Sequence, residues 1–222
     1  MATSEDLAEF VHEVFRCPPS VAEKILQSGS VKSYPPQAII ARQGDPLTQS
    51  YLLVMGCARA LLYSATGQVI LLHEYRRGDI FGALEDSETG THDADLAVVE
   101  TVQALVIRAA NLAILAEQHG CIGLALSRLL LHRLRKATEQ LFERSGLSSV
   151  GRVHAELLRQ ARLSPDLAIS PAPVLSDLAL LVATTRETAS RAVSGLERRG
   201  IVRREADALV VVAPRRLEEM IL

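Results

Sequence analysis

Arg186, Glu187, Ser190 and Arg191 fall within one six-residue stretch, which on a helix places them on the first two turns. A guanidinium can donate two parallel hydrogen bonds to O6 and N7 of guanine, and a carboxylate can accept one from N4 of cytosine. Arg-Glu-x-x-x-Arg is therefore a pattern able to read several adjacent base pairs. Thr184, Thr185, Ser190 and Arg198 are donors suited to phosphate oxygens, which fix a protein on a duplex without specifying sequence. The same residues on an ordinary surface helix would do no more than pair Glu187 with Arg191 at i,i+4. The context of the stretch decides between the two readings.

That context is a short apolar-periodic helix over 175–182, a three-residue turn Ala183-Thr184-Thr185, and a second helix running to Arg198. Thr184 followed by Glu187 fits a capping box, in which the hydroxyl and the carboxylate satisfy orphan N–H groups at a helix start. Two helices joined by three residues make a helix-turn-helix, whose second helix enters the major groove by its N-terminal end. Gly200 closes that helix; 201–204 and 209–212 read as strands around the turn Asp207-Ala208, which gives a β-hairpin wing. Upstream lie a helix over 149–163 and a Pro-rich joint at Ser164-Pro165 and Ser170-Pro171-Ala172-Pro173.

The elements that must carry this reader come earlier. Leu7, Phe10, Val11, Val14 and Phe15 recur at helical spacing until Cys17-Pro18-Pro19 interrupts them, and a second short helix starts near Ser20. Short aliphatic runs follow at 38–41, 51–54, 58–63, 69–75, 80–81, 95–99 and 103–107, separated by turn signals at Gln43-Gly44-Asp45-Pro46, Thr66-Gly67 and Arg77-Gly78-Asp79. Many short strands at close spacing predict a sandwich or barrel. Residues 111–145 read as one long helix with a bend near Gly120. Leu130, Leu134, Ala137 and Leu141 recur on it at 4, 3, 4 spacing, a coiled-coil seam for a parallel dimer, with packing inside one chain as the alternative.

With 222 residues there is material for two cores. Residues 1–145 carry 13 basic and 17 acidic side chains, a balance of −4, whereas 146–222 carry 11 and 9, a balance of +2. A basic tail behind an acidic body suits a nucleic-acid contact at that end. No signal-peptide pattern and no apolar run long enough to span a bilayer is present, so a cytoplasmic protein without a membrane partner is expected. Cys17, Cys57 and Cys121 lack metal-ligand spacing and read as buried free thiols.

Gln43-Gly44-Asp45, Gly56, Gly67, Gly78-Asp79-Ile80-Phe81-Gly82, the long helix, Thr185-Arg186-Glu187-Thr188-Ala189-Ser190-Arg191, Leu196-Glu197 and Gly200-Ile201-Val202 occur in an order that resembles the CRP/FNR family of bacterial regulators over nearly the whole chain. The resemblance implies an α+β fold: an N-terminal antiparallel β-roll like the cyclic-nucleotide-binding jelly roll with its leading helices (1–110), a long dimerisation helix (111–145) and a C-terminal winged helix-turn-helix (146–222). It implies double-stranded DNA, a second copy of the chain and RNA polymerase as partners. It also implies a palindromic site with half-sites about one helical turn apart, with Arg186, Glu187 and Arg191 on the bases. Ala183 stands where many members have Gly in the turn.

In the cyclic-AMP-binding members of that family a Glu holds the ribose and an Arg-Ser pair the phosphate. Here the matching positions are Ala83, after Gly82, and Asp93 with Ala94. From Gly78 to Ile107 there is no Lys or Arg, while Asp79, Glu85, Asp86, Glu88, Asp93, Asp95 and Glu100 are acidic. A phosphodiester needs a donor fork or a cation, so cyclic AMP in its usual pose is disfavoured and no cofactor is expected. Cyclic di-GMP, also anionic, could bind only outside this loop. Arg133 and Thr138 match positions that touch the purine in relatives; a second effector pocket or shared ancestry with a solvated Arg133 both account for them, and ancestry is the preferred account. A haem would need His73 or His92, and Cys17 stands alone where oxygen sensors carry a cysteine cluster. Two other classes compete with a DNA-binding regulator. One is a ligand-binding regulatory subunit acting on a protein partner. The other is a cupin-like metalloenzyme built on His73, Glu74, His92, Asp93 and Asp95, which lacks the usual His-x-His pair. An enzyme is not expected.

Overall fold

The computed structural model describes residues 4–63, 69–84 and 90–221. The expected turn at Thr66-Gly67 and the acids Glu85, Asp86 and Glu88 lie outside the described residues. The chain divides into two compact units, Met1–Leu134 and Arg135–Leu222.

In the first unit α1 (Ser4–Phe15) and α2 (Pro19–Gln27) are separated at the expected Cys17-Pro18-Pro19 break. Pro19 opens α2, where a missing N–H costs nothing. Phe10, Val11, Phe15, Val21, Ala22 and Ile25 from these helices pack into one core with Leu52, Val54, Leu105 and Ile107 of the sheet.

The sheet comprises β1 (Gly29–Tyr34), β2 (Ile39–Ala41), β3 (Gln49–Tyr63), β4 (Val69–Tyr75), β5 (Ile80–Gly82) and β6 (Asp95–Arg108). Its main path is β1-β6-β3-β4, with β2 on β6 and β5 on β3, all antiparallel. Successive side chains of a strand point to opposite faces. Leu52 and Val54 of β3 therefore enter the helix-side core, while Tyr51 and Leu53 enter a second one with Val102, Ala104 and Val106 of β6. Burial on both faces explains why these strands read as continuous aliphatic runs.

The runs at 51–54 and 58–63 are one strand, β3, and those at 95–99 and 103–107 are one strand, β6. The pairing shifts register between Met55 and Cys57 instead of ending. Gly56 permits this: its φ is +89°, and a Cβ there would lie 2.1 Å from the Thr101 carbonyl oxygen. Strand β1 was not expected, because most of its side chains are exposed and its sequence carries no alternation.

The expected single helix over 111–145 is two, α3 (Ala109–Gln118) and α4 (Gly120–Gly146), meeting at 115° across His119. Leu112, Ile122 and Leu126 bury against the helix-side core. Among the described residues no single helix is long and apolar enough to cross a membrane. Cys17 and Cys57 are buried, as read, but Cys121 is only partly so. Burial pushes both buried thiols up, that of Cys57 to about 11.

The second unit contains α5 (Ser149–Ala161), β7 (Ala168–Ile169), α6 (Leu175–Leu181), α7 (Arg186–Arg198), β8 (Val202–Arg204), β9 (Leu209–Val211) and α8 (Pro214–Glu218). The wing is a three-stranded sheet of order β7-β9-β8, since the Pro-rich joint contributes β7 on the far side of β9. Val153, Leu157 and Leu158 of α5, Leu178 of α6 and Ala189, Val193 and Leu196 of α7 make its core with Ile201, Val211 and Leu217.

Candidate nucleic-acid interface and sensor cavity

Helix α7 buries Ala189, Ala192, Val193 and Leu196. The 3.6-residue period then turns Glu187, Arg191, Ser194 and Arg198 outward at 4, 3, 4 spacing, with Arg186 and Ser190 beside them at the N-terminal end. Arg186, Glu187, Arg191 and Arg198 are exposed and Ser190 is half-buried. Glu187 pairs with Arg191 at 3.4 Å. Among the described residues Arg186 and Arg198 have no ion-pair partner, so two guanidiniums on this face are not neutralised.

The helix start differs from the expected capping box. Thr185, not Thr184, is the cap: the N–H of Thr188 donates to its hydroxyl at 3.2 Å, and the Thr188 hydroxyl lies 3.0 Å away. Thr184 is instead drawn back to α6, its N–H donating to the Ala179 carbonyl at 2.9 Å. Between α6 and this cap, Ala183 takes the left-handed conformation at φ 52°. A non-glycine residue in this conformation carries a backbone cost.

Arg152 of α5 reaches this turn, and no sequence pattern singled it out. Its Nε donates to the Val182 carbonyl at 2.8 Å, Nη2 to Ala183 at 3.1 Å and Nη1 to Leu147 at 3.1 Å. One guanidinium thus satisfies carbonyls left open by the end of α6 and by the turn. Ser194 is the other residue missed; the stripe from Glu187 to Arg198 identifies it. On the wing, Arg204 pairs with Glu197 of α7 at 2.9 Å and Arg203 with Glu205 at 2.8 Å.

In the first unit a cavity of about 140 Å³ is lined by Tyr75, Ile80, Phe81, Gly82, Leu84, Leu126, Leu129, Leu130 and Arg133. Of the expected pocket residues it brings together Gly82 and Arg133. Ala83 and Ala94 are buried, Ala94 within the sheet core, while Asp93 is exposed. Thr138 lies further along α4 and is exposed. Gly82 has φ +95°, and a Cβ there would meet the Gln49 carbonyl at 2.1 Å. Phe81 stacks on Tyr51 and on Tyr75, with centroids 5.0 and 4.4 Å apart.

Arg133 is not the solvated side chain that shared ancestry suggested. Its Nη2 donates to the Ile80 carbonyl and lies 3.7 Å from Asp79, and its guanidinium sits 5.2 Å from the centre of the Tyr75 ring. Its Nε is buried with no hydrogen-bond partner among the described residues. His73 packs on Tyr75, and His92 is buried with its imidazolium disfavoured by that burial, against the opposing pull of Asp45 and Asp93. No group of three or more His, Cys, Asp or Glu side chains placed to hold a metal occurs among the described residues.

Of the expected seam, Leu130, Leu134, Ala137 and Leu141 are all exposed, Leu134 by 64% and Leu141 by 66%, whereas Leu126 and Leu129 pack on the helix-side core.

Two family models match: the cyclic nucleotide-binding domain over residues 31–119 and the Crp-like helix-turn-helix domain over 151–220. The cyclic AMP receptor protein of Thermus thermophilus is 30% identical over 189 residues, covering 84% of this chain and 86% of that one. Among solved structures, a CooA mutant from Carboxydothermus hydrogenoformans superposes with a TM-score of 0.77 at 19% identity, covering 89% of this chain and 90% of that one. The c-di-GMP responsive global regulator CLP of Xanthomonas campestris superposes with a TM-score of 0.71 at 20% identity, covering 87% and 99%.

Proposed function

Because the chain belongs to the CRP/FNR family of transcription regulators and carries its helix-turn-helix DNA-binding domain, we propose that it acts as a homodimer reading a palindromic site. Each protomer lays the start of α7 in a major groove. Arg186, Glu187 and Arg191 read base edges, and Thr184, Thr185, Ser190 and Arg198 serve the phosphates. The observation that carries this reading is the outward stripe of α7, whose reading residues are solvent-exposed immediately after a capped turn. The exposed leucines of α4 support pairing with a second copy, since apolar side chains at 4, 3, 4 spacing gain by meeting their equivalents.

In this proposal the three parts are a sensor over 1–110, a dimerisation helix over 111–145 and the DNA reader over 146–222, with RNA polymerase as the further partner. The family model for the first part is named for cyclic nucleotides, but the residues present do not fit one. Ala83 and Ala94 offer buried alkyl groups where a carboxylate and a donor would be needed, and Asp93 is an exposed acid. The sensor therefore works without cyclic AMP in the usual pose.

Selection of duplexes from a random library tests the proposal. A symmetric sequence with two half-sites about one turn apart should be enriched, bound with a steep salt dependence. Enrichment of an asymmetric single half-site, or of nothing, rejects it. Adding cyclic AMP should leave the affinity for the selected site unchanged.

A further inference from the structure

We infer that a groove between α5 and α7 is a ligand site of the reader unit, taking a small sugar or polyol that carries two phosphates, and that its occupant withdraws Arg191 from DNA. The last step rests on the proposed base reading by Arg191; the binding itself does not.

Shape comes first. Glu187, Arg191, Ser194 and Arg198 make the outward stripe of α7. Thr188, Ala192, Gly195 and Arg199 make a second stripe at the same 4, 3, 4 spacing, one residue on and so turned by about 100°. With Ser149 and His154 of α5 this second stripe lines a cavity of about 520 Å³, inside the range of roughly 300–1,000 Å³ for small-molecule sites. Gly195 keeps it open: a Cβ there would meet no atom within 4 Å. No packing contact therefore requires glycine, the poorest helix former after proline, in the interior of α7.

Charge comes second. Arg191, Arg198 and Arg199 border the cavity, and among the described residues no Asp or Glu does. Arg198 has no ion-pair partner among the described residues, and Arg199 donates only to the Met220 sulfur at 3.6 Å, a weak acceptor. Like charges gathered on one cavity repel one another until an anion joins them, and phosphate oxygens fit the guanidinium fork. Arg191 and the Arg198-Arg199 pair stand two helical turns apart, roughly 10 Å, which suits two anionic groups better than one. His154, buried and lining the same cavity, adds an acceptor. Its Nδ1 donates to the Met220 carbonyl, and burial, reinforced by the charge of Arg199, favours the neutral ring, which leaves the Nε2 lone pair for a hydroxyl.

Position comes third. Arg191 belongs both to the cavity and to the base-reading stripe. One guanidinium cannot fork onto a phosphate and a guanine together, so ligand and duplex compete. The duplex backbone is the other source of phosphate for this groove, and the experiment separates the two.

Fructose 1,6-bisphosphate, glucose 6-phosphate and fructose would be titrated at fixed ionic strength into the full-length protein without DNA, followed by calorimetry and thermal denaturation. The expected result is one fructose 1,6-bisphosphate per chain with a raised melting temperature, glucose 6-phosphate weaker by about tenfold or more, and no binding of fructose. Arg199→Gln and Gly195→Leu should each weaken the bisphosphate at least about tenfold. Gly195→Leu fills the groove with every arginine intact and favours the helix, so it decides the matter should Arg199→Gln unfold. With the selected duplex present, the bisphosphate should raise the apparent Kd for DNA in proportion to its concentration. No binding at about 10 mM bisphosphate, beyond the weak end of millimolar affinities, would overturn the inference. So would equal affinity for glucose 6-phosphate, or a folded Gly195→Leu that binds like the parent. Weakened duplex binding by Arg199→Gln in a protein that ignores the bisphosphate would give the groove to the DNA backbone and overturn it likewise. Arg186→Ala should leave bisphosphate binding unchanged, so a failure of this inference is separable from a failure of the DNA-reading proposal.

Discussion

Glu187 and Arg191 form an i,i+4 ion pair at 3.4 Å in which the two side chains stay 77% and 71% exposed. So open a pair is worth little to folding, on the order of 0.3–0.5 kcal/mol, and it holds both groups extended on the outer face of α7. Arg186, one residue before Glu187, has no such partner among the described residues. Arg186→Ala should therefore weaken binding to the selected site by about 1–3 kcal/mol and relax discrimination at one guanine. The melting temperature should stay unchanged. Competition binding on the selected site and its single-base variants checks this. An equal loss on random DNA would assign Arg186 to the backbone instead.

The cap at Thr185 makes a separate prediction about stability. Thr185→Ala removes the acceptor of the Thr188 N–H and should cost about 1 kcal/mol, within the 0.5–2 kcal/mol range of N-cap truncations. Thr184→Ala should cost less, since the Thr184 contact to Ala179 is made by its backbone. Urea denaturation of the two variants without DNA compares them, and the reverse order would restore the capping box at Thr184.

Arg152 offers a test of how the turn is held. Arg152→Met keeps most of the side chain's bulk but removes donors to the carbonyls of Val182, Ala183 and Leu147. The loss of hydrogen bonds from a charged donor should destabilise the reader unit by roughly 2–4 kcal/mol. DNA affinity measured well below the melting temperature should fall as well, because Ala183 no longer has its left-handed conformation secured. Unchanged stability would show that the core beneath the turn suffices.

The helix-turn-helix was legible because its signals are local: an apolar-periodic segment, a three-residue turn, and Gly200, which adopts φ +64° just past α7. The position of the cap was off by one because Ala183 takes the left-handed conformation, and its carbonyl is met by Arg152, thirty-one residues earlier. Nothing in the spacing of a helical arginine announces which carbonyls it will reach. The same holds for Arg133, whose partners Asp79 and Ile80 come from a strand and its preceding turn. Strands β3 and β6 were each read as two because Gly56 interrupts one pair of aliphatic runs and Glu100-Thr101 the other; the sheet passes through them with a register shift that only the partner strand reveals. β1 was invisible because a largely exposed strand carries no hydrophobic alternation.

The apolar stripe on α4 predicts a loss of association. Leu134→Glu introduces a charge at an exposed seam position, where pairing would bury it against the equivalent residue of a second chain. Sedimentation equilibrium should show a monomer in place of a dimer, with far-UV circular dichroism unchanged. Affinity for the palindrome should drop toward that of a single half-site. A Leu134→Glu protein that remains dimeric would remove the seam from the proposal.

Acid sensitivity follows from His154, buried in α5 with its Nδ1 3.2 Å from the Met220 carbonyl, to which the neutral ring donates. Burial pushes its titration below the ordinary value of 6.5, the Met220 hydrogen bond pulls the other way, and the charge of Arg199 adds to the depression. Above the ordinary value the imidazole is neutral in both folded and unfolded chains and contributes no pH dependence. As pH falls through about 6.5 the unfolded chain takes up a proton that the folded one refuses, so stability declines until the folded-state value is passed. The slope cannot exceed about 1.4 kcal/mol per pH unit for one proton. His154→Gln keeps a donor for Met220 but removes the titration; urea midpoints between pH 7.5 and 5.5 should therefore fall less steeply than in the parent. His92, depressed in the same direction by its own burial, contributes to the slope that persists. Identical slopes in the parent and the His154→Gln variant would mean that His154 is not the group whose protonation the folded chain resists.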